Sequence, residues 1–402
     1  MTAQPIDTLG SSLGPSLKGE LRERTRAAVQ VARAHADDVD AEMRFPAEAF
    51  AELRKQGLLG LMVPSALGGP GVGLADVIDV CYALGQACSS TALIYAMHQV
   101  KVGCVVRHAS GNSVIEGILR RLAAEQLLLA SSTTEGQAGG NIRASDAAIE
   151  RVGDGIRLER KATVISYALA ADGLVTTARR SRDADSSDQV LLVLLKEHYT
   201  LERLQGWNTL GMCGTCSEGF TLRVEASAEH VLPEPYASIH SRTMVPFAHL
   251  AWGATWAGIA AAATAKAQAF VRHAMRQSNG QLPPSAPHCT RAVSTLRTLN
   301  GLLSAALRRY EAVMDDPVAS SSLDFQSMIT LTKVQASELA VETVFSAMRA
   351  CGLSGYRNDG DHSMGRLLRD VLSAPLMINN DRILASLTTT SLMTPLPESI
   401  SG

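Results

Sequence analysis

Four hydroxyl-bearing residues in succession, Ser131-Ser132-Thr133-Thr134, close an apolar run that begins at Leu127, and a glycine-rich turn follows, Gly136-Gln-Ala-Gly-Gly-Asn141. Hydroxyls and backbone N–H groups gathered where a strand gives way to a turn suit hydrogen bonding to a planar polar ring or a phosphate. A Ser/Thr-rich turn has the same composition, so the cluster alone leaves both readings open. Other candidate constellations are weaker. Cys213-Gly-Thr-Cys216 lacks the second pair, or the histidines at ligand spacing, that zinc requires, and it lacks the βαβ context of a redox site. The ten histidines are dispersed, and His98, inside an apolar run, reads as a core histidine rather than a ligand. No Gly-x-Ser-x-Gly elbow supports a serine hydrolase. Leu67-Gly-Gly-Pro-Gly-Val-Gly73 lacks the Gly-Lys-Ser/Thr of a P-loop and reads as a plain loop.

The elements that must position the hydroxyl ledge follow from periodicity. The most strand-like segments, 155–162, 173–179, 189–196 and 221–224, all lie just after it, each rich in Val, Leu, Ile or Thr and bounded by Gly, Asp or Ser. On both sides the pattern is helical: 21–39, a segment from Pro46, 74–86, 90–106 and 113–124 before the strands, then 244–277, 290–314, 323–350 and 370–392 after them. The order predicts an α+β, mainly α fold in three parts: an N-terminal helical domain over 1–126, a β-barrel-like middle domain over 127–235, and a C-terminal four-helix bundle over 236–402.

Composition narrows the class. With 402 residues, 46% of them hydrophobic, the chain can bury a large core. The 37 basic and 39 acidic residues balance, which argues against nucleic acid or an anionic membrane as partner. The polar N-terminus carries no apolar signal core, and the charge-free run 250–265 is shorter than the ~18 residues of a membrane span. Seven scattered cysteines suit free thiols in a reducing cytoplasm.

Further segments give the ledge a context: Val164-Ile-Ser-Tyr167, Leu210-Gly-Met-Cys-Gly-Thr215, and Cys351-Gly-Leu-Ser-Gly-Tyr356 followed by Arg369-Asp370. In this order, with Thr133-Thr-Glu135 ahead of them, they resemble the motifs of the acyl-CoA dehydrogenase superfamily of flavoenzymes over roughly residues 25 to 392. The resemblance implies FAD at the junction of the three domains. By position, Ser132, Thr133, Thr134 and Gly139 would meet the flavin, Ser166 would sit near its N5, and Asn380 would replace a threonine beside it. Arg349 and Gly352 would contact the FAD diphosphate of a neighbouring subunit, with Arg272 or Arg276 as a further diphosphate arginine. Such sharing implies a homodimer or homotetramer, an acyl-CoA or carrier-bound acyl thioester as substrate, and an electron-transfer partner or O2 as acceptor.

The pattern departs from the family where the chemistry is done. Removing the α-proton of a thioester calls for a carboxylate, yet Ile378 occupies the family's usual glutamate position and Ala248-His249 the alternative one. Asp381, three residues on, and His249 are the substitute candidates, and Gly140-Asn141 alters the thioester-side motif. Three functions remain: an FAD-dependent acyl thioester dehydrogenase, which leads; an oxygenase on the same fold, which needs no α-proton base; and a catalytically silent binding subunit, against which the retained flavin motifs argue.

Overall fold

The computed structural model describes residues 19–109, 111–135 and 144–393. Six helices come first: α1 (Gly19–Ala34), α2 (Ala36–Ala41), α3 (Ala47–Lys55), α4 (Leu74–Gly85), α5 (Ser89–His108) and α6 (Ser113–Glu125). Seven strands follow: β1 (Leu129–Ser132), β2 (Glu150–Val152), β3 (Gly155–Ile165), β4 (Gly173–Arg179), β5 (Gln189–Leu195), β6 (Tyr199–Gln205) and β7 (Glu218–Ser227). The rest is helical: α7 (Tyr236–Ile239), a π-helical turn (His240–Met244), α8 (Val245–Gln277), α9 (Ala286–Val313), α10 (Pro317–Ser321), α11 (Leu323–Cys351), α12 (Leu353–Tyr356), α13 (Gly365–Val371) and α14 (Asn380–Met393). The mainly helical chain with its sheet region in the middle matches the expected fold class, and among the described residues no helix is long and apolar enough to cross a membrane.

The strands form two sheets. One is ordered β1-β4-β5, with β1 parallel to β4 and β4 antiparallel to β5; the other is antiparallel, ordered β2-β3-β7-β6. All of β5 and nearly all of β4 are buried on both faces, as their unbroken apolar sequences require, whereas β3 alternates buried and exposed side chains with one face to water. The β1–β4 register sets Ser131 opposite Val175 and Ser132 opposite Thr176, which fixes the hydroxyl ledge at the end of the smaller sheet.

The helices pack around α8, whose buried residues are largely Ala, Gly and Thr. A Cβ on Gly258 would lie 2.4 Å from the Tyr82 carbonyl oxygen, and one on Gly85 would lie 2.5 Å from that of Thr255, so α4 and α8 meet backbone to backbone. The predicted single helix over 370–392 is broken instead. It divides into α13 and α14, with turns from 372 to 379, and Ile378 takes a left-handed φ of 47°. Pro375 lies within the break, and the Lys333 ammonium from α11 captures the Ile378 carbonyl at 3.1 Å, a bond to a residue 45 positions away that local periodicity does not encode.

The glycine contact yields a stability prediction. Gly258→Ala must push α4 and α8 apart and should cost about 1–3 kcal/mol. Urea unfolding would show a lower midpoint with unchanged slope; an unchanged midpoint would mean that the two helices are free to separate at no cost.

Candidate functional site

A cavity of about 670 Å³ opens between the end of β1, the Leu210–Ser217 loop, the first turns of α8, α5, and the segment after α13. One side is a hydroxyl strip. Ser131, Thr133 and Thr134 come from the end of β1, Thr163 and Ser166 from β3 and the turn after it, and Thr209, Thr215 and Ser217 from the following loop. Side chains alternate along a strand, so Ser132 turns the other way: it is fully buried behind the ledge, and its carbonyl accepts from the Thr176 hydroxyl at 2.8 Å. Ser166, Ser217 and Thr215 form a chain of hydroxyls, each 2.8 Å from the next. The Thr133 and Thr134 hydroxyls border the cavity with no partner among the described residues. Donors held ready along one edge fit the polar rim of a planar heterocycle.

The loop that carries three of these eight hydroxyls is held by α13. The Met212 N–H donates to the buried Asp370 carboxylate at 2.7 Å, and Arg369 donates to the Leu210 carbonyl at 3.1 Å while pairing with Asp40. The approach is so close that a Cβ on Gly211 would lie 2.3 Å from the Arg369 carbonyl oxygen. Met212, Cys216, Tyr167 and Ile378 all have positive φ without being glycine. Each lines the cavity or adjoins a residue that does, so four of the chain's strained positions gather here. The two cysteines of the Cys-x-x-Cys serve this loop: each thiol donates to a backbone carbonyl, Cys213 to Thr209 and Cys216 to Met43.

The opposite side is apolar: Leu93, Met97 and Val100 from α5, and Met244, Val245 and Trp252 from the π-helical turn and α8. His108 at the end of α5 clamps the two helices, with one ring nitrogen 2.8 Å from Thr243 and the other 2.8 Å from Glu234. His98 is a core residue as expected, taking the Leu129 N–H on Nδ1 at 3.0 Å and donating from Nε2 to the Leu59 carbonyl at 2.9 Å, which ties α5 to β1.

Of the base candidates, His249 borders the cavity and Asp381 does not. His249 Nδ1 faces the Ile329 carbonyl at 3.1 Å; a carbonyl only accepts, so Nδ1 carries the proton and Nε2 is left as a lone pair. Burial pushes its pKa down to about 4, which makes it a neutral hydrogen-bond acceptor. Asp381 is exposed on the first turn of α14, which corrects its candidacy: its side chain is outside the cavity lining. Ile378 does line the cavity, and among the described residues no carboxylate does. Asn380 is turned into the bundle, its Oδ1 accepting from Lys333 at 2.7 Å and its amide donating to Ser337 at 3.0 Å, so it is not at the cavity either. Arg272, Arg349 and Gly352 are exposed and outside the lining, at the ends of α8 and α11, and Arg276 is likewise exposed. Gly139 and the Gly140-Asn141 pair lie outside the described residues.

Lys101 was not among the sequence candidates. It lies on the cavity side of α5, 4% exposed, and among the described residues donates only to the Met244 sulfur at 3.5 Å. The signal was present in the sequence, since it is the one Lys, Arg, Asp or Glu between Ser89 and Val106.

The family model "Acyl-CoA dehydrogenase, N-terminal domain" matches residues 18–126, and "Acyl-CoA dehydrogenase, C-terminal domain" matches residues 242–379. Cyclohex-1-ene-1-carbonyl-CoA dehydrogenase of Geobacter metallireducens is 25% identical over 89% of this chain and 93% of its own length. The amino sugar nitrososynthase DnmZ of Streptomyces peucetius is 24% identical over 89% and 88%. Among solved structures, FMN-bound TdsC from Paenibacillus sp. A11-2 superimposes with a TM-score of 0.81 at 17% identity, covering 93% of this chain and 98% of the other. The chain belongs to the acyl-CoA dehydrogenase superfamily and is a flavoenzyme of that type.

The buried histidines predict a pH response. Desolvation is the main reason that His98, His230 and His249 each titrate near 4 in the folded chain, against an ordinary value near 6.5. Between those values the unfolded chain holds more protons, so stability falls as pH drops from about 6.5 to about 4. His249→Asn, whose amide can donate to the Ile329 carbonyl in place of the ring, should make this fall shallower when urea midpoints are compared across the range. A fall as steep as the wild type's would contradict a neutral, buried His249.

Proposed function

We propose that the protein is a flavin-dependent monooxygenase on the acyl-CoA dehydrogenase scaffold. The observation that carries this reading is the cavity wall: Ile378 and the Ala248-His249 pair, at the positions that the family resemblance assigns to the base, line the space, and no described carboxylate borders it. Thioester dehydrogenation without such a base has no route for the α-proton. A neutral imidazole titrating near 4 is a poor substitute. The relatives include both dehydrogenases and nitrososynthases, and the solved neighbours include dibenzothiophene monooxygenase, so the scaffold accommodates either chemistry.

Reduced flavin would supply the two electrons with which O2 gives one oxygen atom to substrate and one to water. The chain's own part is to hold and shield. Thr133 and Thr134, whose hydroxyls have no partner among the described residues, would meet the flavin edge, and Ser166 would offer a donor whose orientation is fixed by Ser217 and Thr215. Leu93, Met97 and Trp252 keep the facing side dry, which favours coupled oxygen transfer over release of reduced oxygen species. His249 Nε2 can accept a hydrogen bond from a substrate N–H or O–H.

The flavin is read as FAD, bound between copies of the chain in a homodimer or homotetramer. This rests on the family resemblance, which assigns Arg349, Gly352 and Arg272 to a dinucleotide shared with a neighbour; their exposure outside this chain's own cavity lining supports it. Loss of a charged hydrogen bond in Arg349→Ala should weaken FAD binding about ten-fold and FMN binding less, as measured by equilibrium dialysis. Equal losses for the two flavins would remove Arg349 from the dinucleotide site.

The activity is tested on flavin-loaded protein. Without oxygen, butyryl-CoA and octanoyl-CoA should leave the flavin absorbance unchanged, while dithionite-reduced protein mixed with isotopically labelled O2 and indole should yield product carrying one labelled atom. Bleaching by either thioester would overturn the oxygenase and restore the dehydrogenase.

A further inference from the structure

Two cationic side chains border the cavity among the described residues, Arg369 and Lys101, and they differ in one respect. Arg369 is matched by Asp40 and the Leu210 carbonyl. Among the described residues Lys101 has no carboxylate and no carbonyl: its one acceptor there is the Met244 thioether, which already takes the Tyr236 hydroxyl at 3.3 Å. A thioether is a weak acceptor, and an ammonium has three protons to place. Taking such a group out of water is strongly unfavourable unless it is paired. The remaining donors of Lys101 have no partner among the described residues, although the side chain is only 4% exposed and borders the cavity.

We propose that Lys101 is the anchor for an anionic oxygen, carboxylate or phenolate, on the substrate of this site. The proposal rests on the oxygenase reading above and adds the substrate class: a flat apolar body with an acidic group at the α5 end. The surroundings fit that body. Met97, Met244 and Met377 are adaptable thioethers suited to ring edges, and Trp252 offers a flat face. The hydroxyl strip lies along the other side, so the flavin edge and the substrate anion have separate donors. Lys101 is thus a specificity residue, with the π-helical turn placing Met244 to hold its amine when no substrate is present.

The titrating groups near the amine are few. Cys104 lies one turn along α5, its thiol pushed up to about 12 by burial, and His249 on the facing helix is neutral. Tyr236 reaches the same sulfur. Desolvation brings Lys101 down to about 8, so it is charged at neutral pH and loses its proton above about pH 8. A carboxylate ligand keeps its charge over this range, so its binding should be level below pH 8 and weaken above.

The test uses flavin-loaded wild type, Lys101→Met and Lys101→Arg, with binding followed by calorimetry. Two matched pairs serve as probes: 2-naphthoate with 2-naphthamide for a carboxylate, and 2-naphthol with 2-methylnaphthalene for a phenolic oxygen. In the wild type the acidic member of at least one pair should bind ten-fold or more tightly than its partner. Lys101→Met should abolish that difference while still binding flavin, and Lys101→Arg should retain part of it. Should Lys101→Met not fold, decline of the wild type's preference above pH 8 is the deciding measurement for 2-naphthoate, and retention of the preference by Lys101→Arg for 2-naphthol. Neither pair discriminated, or discrimination intact in Lys101→Met, overturns the proposal. So does a Lys101→Met variant that loses flavin rather than the preference, since the amine would then serve the flavin. Failure of the oxygenase reading shows separately, as bleaching by acyl-CoA thioesters.

Discussion

A methyl group on Gly258 would collide with the Tyr82 carbonyl oxygen, and one on Gly253 would come within 2.5 Å of the Leu303 side chain. These two contacts show how closely neighbouring helices crowd α8, which packs against α4, α5, α9 and α11. Such closeness is possible because small residues, Ala, Gly and Thr, make up much of the buried side of α8. It also sets the geometry of the site. The first turns of α8 form one cavity wall, and α5 can form the facing wall because Gly103 leaves room for the Phe247 ring, 2.2 Å from where a Cβ would be.

Polar ties transmit this rigid centre to the cavity rim. Asp370 holds Met212, Lys333 holds Ile378 and Asn380, and His108 spans Thr243 and Glu234. Each joins residues far apart in the chain, and each ends on a segment that lines or adjoins the cavity. The left-handed residues Met212 and Ile378 sit at the receiving ends of two of these ties. Local backbone strain and long-range hydrogen bonding therefore occur together, with the second sustaining the first.

Much of the fold could be read from the sequence because its signals are local. β4 and β5 are legible as unbroken apolar runs, and the ledge as a run of hydroxyls beside a turn. β6 was not legible: its Tyr-Thr-Leu-Glu-Arg-Leu-Gln sequence is an edge strand with mostly exposed side chains, and it resembles a polar loop. The break after α13 was hidden for another reason, since its cause includes a lysine on α11. At the site, motif order identified the ledge and the Leu210 loop, but neighbouring letters could not separate Ser131, which faces the cavity, from Ser132, which does not. Nor could they show that Asn380 turns into the bundle or that Asp381 turns to solvent.

The backbone at residue 378 is held by polar contacts made from elsewhere in the fold. Its carbonyl is gripped by Lys333, and that ammonium is steadied by Asn380 and by the Trp256 ring 5.7 Å away. None of these contacts involves the isoleucine side chain. Residue 378 is thus a socket: polar contacts to its backbone present its side chain to the cavity, where an isoleucine makes the wall apolar while also packing against the core.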